Sequence, residues 1–123
     1  MTDETAAAGL ALRVDRRPGG AVVVACDGEL DLDTAGEFEA AVREAFGGGR
    51  TAPAARVVVD CSELFFCDSS GLNALLRLRQ SATDKGIGMC LAAVPEGVLR
   101  LLRVTGVSEV LDCRADVEGA LVD

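Results

Sequence analysis

The chain has 123 residues, half of them hydrophobic and 26% charged, which suits one soluble globular domain with a single core. Twelve Lys and Arg against twenty Asp and Glu give a net charge of −8, which argues against nucleic acid and anionic membrane surfaces as partners. The five cysteines lack CxxC spacing and there is no histidine, so the common zinc sites and the histidine-dependent catalytic triads are excluded.

The beginning of the chain predicts a flexible tail and then a β-hairpin. Residues 1–9 are short, acidic and unlike a signal peptide, and a domain is expected over residues 10–121. No apolar run is long enough to cross a bilayer, which predicts a cytoplasmic protein. Strands predicted over 10–14 and 21–26 flank a Pro-Gly-Gly turn and should pair antiparallel. Residues 28–32 are expected to form a connecting loop.

The middle of the chain predicts a helix and a buried strand. Asp33 and Thr34 should open the helix, and the glycines at 47–49 should end it. Thr34 and Glu37 have the spacing of a capping box, in which the hydroxyl accepts from the third amide of the helix and the glutamate reaches back. The continuous apolar run at 56–60 is typical of a central strand that is covered on both faces.

The second half of the chain continues the alternation of helices and strands. The predicted elements are a helix over 70–85 that ends at Gly86, a strand over 87–94, a helix from 95 that stops at Gly106, a strand over 107–111 and a terminal helix over 112–121. The order β-β-α-β-α-β-α-β-α predicts a single small α/β domain. Its sheet should be mixed and mostly parallel, with an N-terminal hairpin and about four helices.

Three chemical alternatives depend on single residues or small clusters. Asp27, Asp31 and Asp33 permit a metal site, although a polar loop with a helix cap explains them better. Asp60 has the position of a phosphoacceptor aspartate in a response-regulator receiver, but the opening hairpin does not match such a domain. Cys67 would be the nucleophile if the chain were a thiol-dependent enzyme, which requires an accessible thiolate.

A polar step at Asp68-Ser69-Ser70-Gly71 separates an apolar strand from the longest predicted helix. A side-chain oxygen of Asp68 or Ser69 can cap that helix, which would contribute about 1 kcal/mol. The serines should emerge at the surface, where a hydroxyl is open to phosphorylation. Free amides at the helix start would tolerate a phosphate of about −1.5 to −2 charges, and the added charge would repel a protein bound there.

These motifs together resemble a known family, the STAS domains, and within it the bacterial anti-sigma factor antagonists (anti-anti-sigma factors). The matching features are Gly28-Glu29-Leu30-Asp31, the Val-rich strand that reaches Asp60, the stretch from Phe66 to Leu72, and Val104-Thr105-Gly106-Val107. The similarity extends over about residues 10–121. Two positions depart from the family pattern: Cys67 stands where Met is frequent, and Asn73 stands where Gly is frequent.

The resemblance implies a switch between partners and no cofactor, metal or catalytic activity. The unphosphorylated antagonist binds an anti-sigma factor that is also a GHKL-type serine kinase, and so releases a sigma factor. The kinase then phosphorylates the serine after the aspartate, here Ser69, and a PP2C-type phosphatase reverses the modification. The residues expected to shape the docking face are Asp31, Asp68, Ser70, Gly71 and Asn73. Modification of Ser70 or Ser62 stays open, as does a role as a STAS scaffold in a stress-signalling or transport complex.

Overall fold

The computed structural model describes residues 9–122 and the backbone of residues 2–7. One six-stranded sheet runs in chain order, β1 to β6. The strands are β1 (Thr2–Ala7), β2 (Leu10–Arg16), β3 (Ala21–Leu30), β4 (Arg56–Cys67), β5 (Gly88–Ala92) and β6 (Asp112–Arg114). The first three pair antiparallel, and β3 to β6 pair parallel. The predicted mixed, mostly parallel sheet with an opening hairpin is confirmed.

Four α-helices cover the two faces of this sheet, as predicted. They are α1 (Ala35–Phe46), α2 (Ser69–Lys85), α3 (Glu96–Val104) and α4 (Val117–Leu121). Helices α1, α2 and α3 bury their apolar sides in one large cluster, whereas α4 packs against a small cluster on the opposite face. No helix in the described part of the chain combines the length and apolar character needed to span a bilayer.

The valines of β4 show why the central strand is apolar on both sides. Val57 and Val59 face the cluster under α1–α3, and Val58 faces the cluster under α4. All three are at most 1% exposed. A strand covered on both faces needs a continuous apolar run, and the sequence prediction for residues 56–60 agrees with this arrangement.

Strand β4 is much longer than its neighbour β5. It pairs with β3 from Arg56 to Cys67 but with β5 only over Arg56–Asp60. The β3–β4 register shifts twice, between Ala25 and Asp27 and between Gly28 and Glu29, and β4 contributes the extra residue each time. The two bulges let the 12 residues of β4 pair with the 10 residues of β3, so that both strands end together at the same edge of the sheet.

An ion-paired cluster joins the exposed sides of α1 and α2. The Glu39 carboxylate on α1 accepts hydrogen bonds from Arg77 on α2, at 2.8 Å, and from Arg43, also at 2.8 Å. The Arg77 hydrogen bond is the main cause that lowers the pKa of Glu39 below its ordinary value, and Arg43 acts in the same direction. The contact between Glu39 and Arg77 therefore links α1 to α2, the two helices that begin at the edge where β3 and β4 end.

Three of the elements predicted after residue 27 are wrong. Gly28 to Leu30 belong to β3 and not to a loop, because they pair with the bulged end of β4. The strand expected over 107–111 is a short 3-10 turn at Val107–Glu109, entered through Gly106 at φ 82°. The helix expected over 112–121 is divided, since residues 112–114 pair with β5 as strand β6 before α4 begins.

The beginning of the chain also differs from the predicted tail. The backbone of Thr2–Ala7 forms β1 and pairs antiparallel with β2, from Thr2 opposite Asp15 to Ala7 opposite Leu10. Met1 and Ala8, which the prediction also covered, lie outside the described residues. The antiparallel part of the sheet therefore has three strands, one more than the predicted hairpin.

Candidate functional site

Asp68 is the residue that caps α2. Its backbone is extended, with φ −112° and ψ −170°, and Oδ1 accepts from the amides of Ser70 at 2.9 Å and Gly71 at 3.3 Å. Its own amide donates to the carbonyl of Leu30 at 3.2 Å. Of the two capping oxygens that the sequence allowed, the structure uses the aspartate. The cap also ties the start of α2 to the end of β3.

Ser69 is the first residue of α2, and its side chain is exposed. Its hydroxyl makes no hydrogen bond to any residue that the structure describes. Ser70 is half-buried in the same turn, and Asn73, one turn further along α2, is exposed. Residues four apart in a helix share a face, so Asn73 neighbours Ser69 on the surface.

Gly71 is required by close packing and not by an unusual backbone angle. A Cβ at this position would lie 2.7 Å from Cγ of Leu30, 2.8 Å from Sγ of Cys67 and 2.9 Å from the carbonyl oxygen of Leu30. Any side chain would therefore push α2 away from the end of β3. The glycine lets the helix start directly above the paired ends of the two strands.

The Gly28-Glu29-Leu30-Asp31 segment ends β3 beside this helix start. Gly28 has φ +130°, and a Cβ there would collide with the carbonyl oxygen of Gly9. The Glu29 amide donates to that same carbonyl at 2.8 Å. Leu30 is 1% exposed and pairs with Cys67 at the end of β4. The segment is thus a bulged strand end that supports α2 from below.

Asp31 holds the turn before α1, and the predicted capping box at Thr34 is wrong because Thr34 makes no side-chain cap bond. Asp31 Oδ1 accepts from the amides of Asp33 at 3.0 Å and Thr34 at 3.2 Å. The Thr34 hydroxyl makes no cap bond to a helix amide. It is fully buried, donates to the carbonyl of Glu29 at 2.8 Å and accepts from the amide of Asp31 at 2.9 Å. The Thr34 hydroxyl is buried and makes two hydrogen bonds to the backbone, so its role is structural.

The structure therefore brings the predicted site residues to one edge of the sheet. Asp31 follows the end of β3, and Asp68 follows the end of β4 next to it. The surroundings are acidic in sequence, since no Lys or Arg occurs over residues 18–42 or 57–76. Ser62 is exposed but lies earlier, within β4, at the first of the two bulges.

Cys67 does not have the surroundings of a catalytic thiol. It is 7% exposed, and Sγ lies 3.6 Å from the carbonyl oxygen of Asp68. Burial, and then the nearby Asp68 carboxylate, raises the pKa of this thiol to about 11. Burial raises the pKa of Cys26 further, to about 12. Thiols with such pKa values are protonated at neutral pH, which argues against nucleophilic chemistry at Cys67.

Asp60 of the receiver alternative and Asp31 of the metal-site alternative both accept hydrogen bonds from nearby backbone amides. Asp60 lies within β4 and not at its end, and its Oδ1 accepts from the amide of Ser62 at 3.0 Å. This differs from an aspartate that emerges at the end of a strand. Among the side chains that the structure describes, residues 9–122, no group of three or more Cys, Asp or Glu is arranged to hold a metal ion. The Asp31 carboxylate instead accepts from the amides of Asp33 and Thr34 in the turn before α1.

The sequence reasoning missed two features of this edge. The first is the pair of backbone hydrogen bonds that the buried Thr34 hydroxyl makes, since the spacing of Thr34 and Glu37 predicts a capping box instead. The second is a pair of exposed aromatic side chains, Phe65 at 70% and Phe66 at 45%. The apolar run before the polar step predicts a strand, but it does not show which of its side chains are exposed. Only the register of β4 shows that they face outwards.

Comparison with known proteins identifies the same fold. A model of the STAS domain family matches residues 13–120. An anti-sigma factor antagonist from Mycobacterium paratuberculosis is 25% identical, with a TM-score of 0.78 over 95% of each chain. Comparison with curated protein sequences gave no match.

Two further solved structures share the fold at lower identity. The Bacillus cell fate determinant SpoIIAA in its phosphorylated form is 18% identical, with a TM-score of 0.67 over 89% of this chain and 96% of that one. The STAS domain of a SulP transporter from Vibrio cholerae is 20% identical, with a TM-score of 0.67 over 85% of this chain and 80% of that one. The family model matches from the middle of β2 to α4, and the chain belongs to the STAS domain family.

Proposed function

We propose that this protein is an anti-sigma factor antagonist switched by phosphorylation of Ser69. In the unphosphorylated state it binds an anti-sigma factor with GHKL-type serine kinase activity and so releases a sigma factor. It works as a binding protein without catalysis of its own, in the cytoplasm. The observation that carries the proposal is the exposed Ser69 hydroxyl, without a hydrogen bond to any described residue, at the start of α2.

The similarity to solved proteins supports this function. The antagonist from Mycobacterium paratuberculosis shares the fold over 95% of both chains. SpoIIAA, which shares the fold, has been solved in a phosphorylated form. In this chain, Ser69 directly follows the capping aspartate, and α2 starts where β3 and β4 end together.

The local electrostatics explain how one phosphate would release a partner. Asp68 already accepts from the amides of Ser70 and Gly71, so these amides cannot neutralise a phosphate on Ser69. The phosphate would instead lie beside a carboxylate, in a segment without Lys or Arg. Repulsion from Asp68 directs the added charge towards the solvent, where a partner would sit. The modification should therefore weaken binding while leaving the fold intact.

The proposal is tested by incubating the purified protein with ATP and each anti-sigma factor kinase encoded in the same genome. Mass spectrometry should place one phosphate on Ser69, and Ser69→Ala should abolish labelling, whereas Ser70→Ala and Ser62→Ala should not. Ser69→Glu should weaken binding of that kinase by about 100-fold, or about 2.7 kcal/mol. A PP2C-type phosphatase should restore binding of the phosphorylated protein. If every kinase leaves Ser69 unlabelled, the proposal fails.

A second function is favoured by the likeness to the Vibrio cholerae transporter domain. In that case the protein would be a STAS scaffold of a transport or stress-signalling complex, with no role in sigma-factor control. Neighbouring genes distinguish the two: a gene for an anti-sigma kinase supports the first function, and transporter genes support the second.

A further inference from the structure

Exposed apolar side chains concentrate at the edge of the sheet where β3 and β4 end. Six large hydrophobic residues are exposed in the described part of the chain, and three of them belong to this edge. They are Leu32 at 78%, Phe65 at 70% and Phe66 at 45%. We call these three residues the edge patch. Leu32 lies two residues beyond the end of β3, and the two Phe precede the polar step at the end of β4.

The register of β4 explains why the aromatic pair is not in the core. Leu30 and Cys67 are paired strand ends, and both face the large cluster under α1–α3. Side chains alternate along a strand, so Phe66, which pairs with Glu29, points to the opposite face. On that face α4 covers a different part of the sheet, around Val58. The register shift just before Phe66 leaves Phe65 as the extra residue of the bulge, also exposed.

Exposed carboxylates beside the edge patch lie close enough to repel one another, which destabilises the free domain. Asp27 on β3 lies directly opposite Glu63 on β4, and both side chains are exposed. Among the described residues neither of them forms an ion pair. Like charges on neighbouring strands repel each other. Asp33, beside Leu32, adds a third exposed carboxylate. An apolar patch with an unpaired acidic border suits a binding surface better than a purely structural edge.

We propose that the edge patch is the apolar anchor of the docking surface for the anti-sigma factor kinase. The complementary surface of that kinase is an apolar recess bordered by Lys or Arg side chains. This inference rests on the proposed function and names the chemistry of the partner surface. The acidic border provides long-range attraction, and the aromatic side chains provide the buried centre of the interface.

Distance along the chain places the patch within reach of the same partner as Ser69. Phe66 is three residues before Ser69, so their Cα atoms are at most about 11 Å apart. A protein interface of ordinary size covers about 800 Å² on each partner, which is a disc with a radius of about 16 Å. The end of β4 that carries Phe65 and Phe66 therefore lies within the radius of an interface centred on Ser69, and a kinase that reaches around this end of the sheet would contact both.

The test measures binding of the purified kinase that phosphorylates Ser69 to the full-length protein and its variants. Phe65→Ala and Phe66→Ala should each weaken binding by about 10-fold or more. The matched control is Val110→Ala. Val110 is 46% exposed, almost the same as Phe66, but it precedes β6 and so lies at the opposite edge of the parallel sheet. This control should bind within about twofold of the unmodified protein, as expected for a residue outside the interface.

A second measurement concerns the acidic border. Asp27→Asn combined with Glu63→Gln should lower the association rate several-fold, and the difference should shrink as salt is raised. Thermal unfolding checks that each variant is folded, and Leu32→Ser, in the segment before α1, provides a second way to disturb the patch. Leu32→Ser should also weaken binding.

The outcomes separate this inference from the proposed function. If the aromatic variants and Leu32→Ser bind as tightly as the unmodified protein while Ser69→Glu does not, the docking inference is overturned and the switch at Ser69 stands. If no anti-sigma kinase binds the unmodified protein or labels Ser69, the proposed function fails and the docking inference fails with it.

Discussion

The starts of α1 and α2 are built alike but use their hydroxyl residues in opposite ways. Each helix follows the end of a parallel strand, and near each start an aspartate carboxylate accepts two amides. Asp31 accepts them in the turn before α1, whereas Asp68 accepts them inside α2 as its cap. At α1 the Thr34 hydroxyl is buried and bonded to the backbone. At α2 the Ser69 hydroxyl is exposed, and no described residue bonds to it. At α2 the Asp68 carboxylate provides the cap, so the Ser69 hydroxyl is available for another purpose.

The largest expected effect concerns the glycine in each first turn. Gly71→Ala should lower the free energy of unfolding by about 3 kcal/mol, because the new methyl group would overlap Leu30 and Cys67. The matched change in α1, Gly36→Ala, has no neighbouring atom within 4 Å to disturb. It should stabilise the protein by about 0.5 kcal/mol. Urea unfolding measures both, and equal effects would show that the two helix starts are packed alike.

The next effect concerns the two hydroxyls themselves. Thr34→Val should cost about 2 kcal/mol, because it removes a buried hydroxyl and leaves the Glu29 carbonyl and the Asp31 amide without their partner. Ser69→Ala should change the free energy of unfolding by less than about 0.5 kcal/mol. The same urea experiment compares them. A cost for Ser69→Ala close to that of Thr34→Val would contradict the distinction drawn between a structural and a free hydroxyl.

The smallest effect concerns the ion-paired cluster that joins the two helices. Glu39→Gln should cost about 0.5 kcal/mol at pH 7, since the two arginines are largely exposed and screened. Arg77 and Arg43 lower the pKa of Glu39 in the folded state. Its contribution is therefore complete above the unfolded pKa, about 4.3, and is lost as the pH falls through the lower folded value. Unfolding at pH 7 and pH 3 should show the difference shrinking in acid.

Much of the fold could be predicted because it depends on local pattern. The apolar run at 56–60 and the helical spacing after the polar step both indicate their elements without reference to the rest of the chain. The position of Ser69 at an exposed helix start was predicted for the same reason, since polar residues between a strand and a helix lie at the surface. The identity of the capping oxygen was left open, and only the structure assigns it to Asp68.

The incorrect predictions concern features set by contacts between distant residues. The bulges of β4 depend on its register against β3, and so does the exposure of Phe65 and Phe66. Residues 112–114 are a strand only because β5 offers an open edge to pair with. The predicted capping box at Thr34 does not form because the hydroxyl donates instead to the carbonyl of Glu29 at the bulged end of β3. In each case a tertiary contact replaces a plausible local alternative.

The buried cysteines have a practical consequence for studying how the domain opens. Cys26, Cys61 and Cys90 lie on three neighbouring strands and are at most 3% exposed. A thiol reagent can reach them only when the surrounding structure separates, so the modification rate of each one reports the free energy of opening at its own strand. The molecule thus contains natural probes at the centre of its sheet. Resolved by peptide mapping, they would show whether a bound kinase protects the whole domain or only one end.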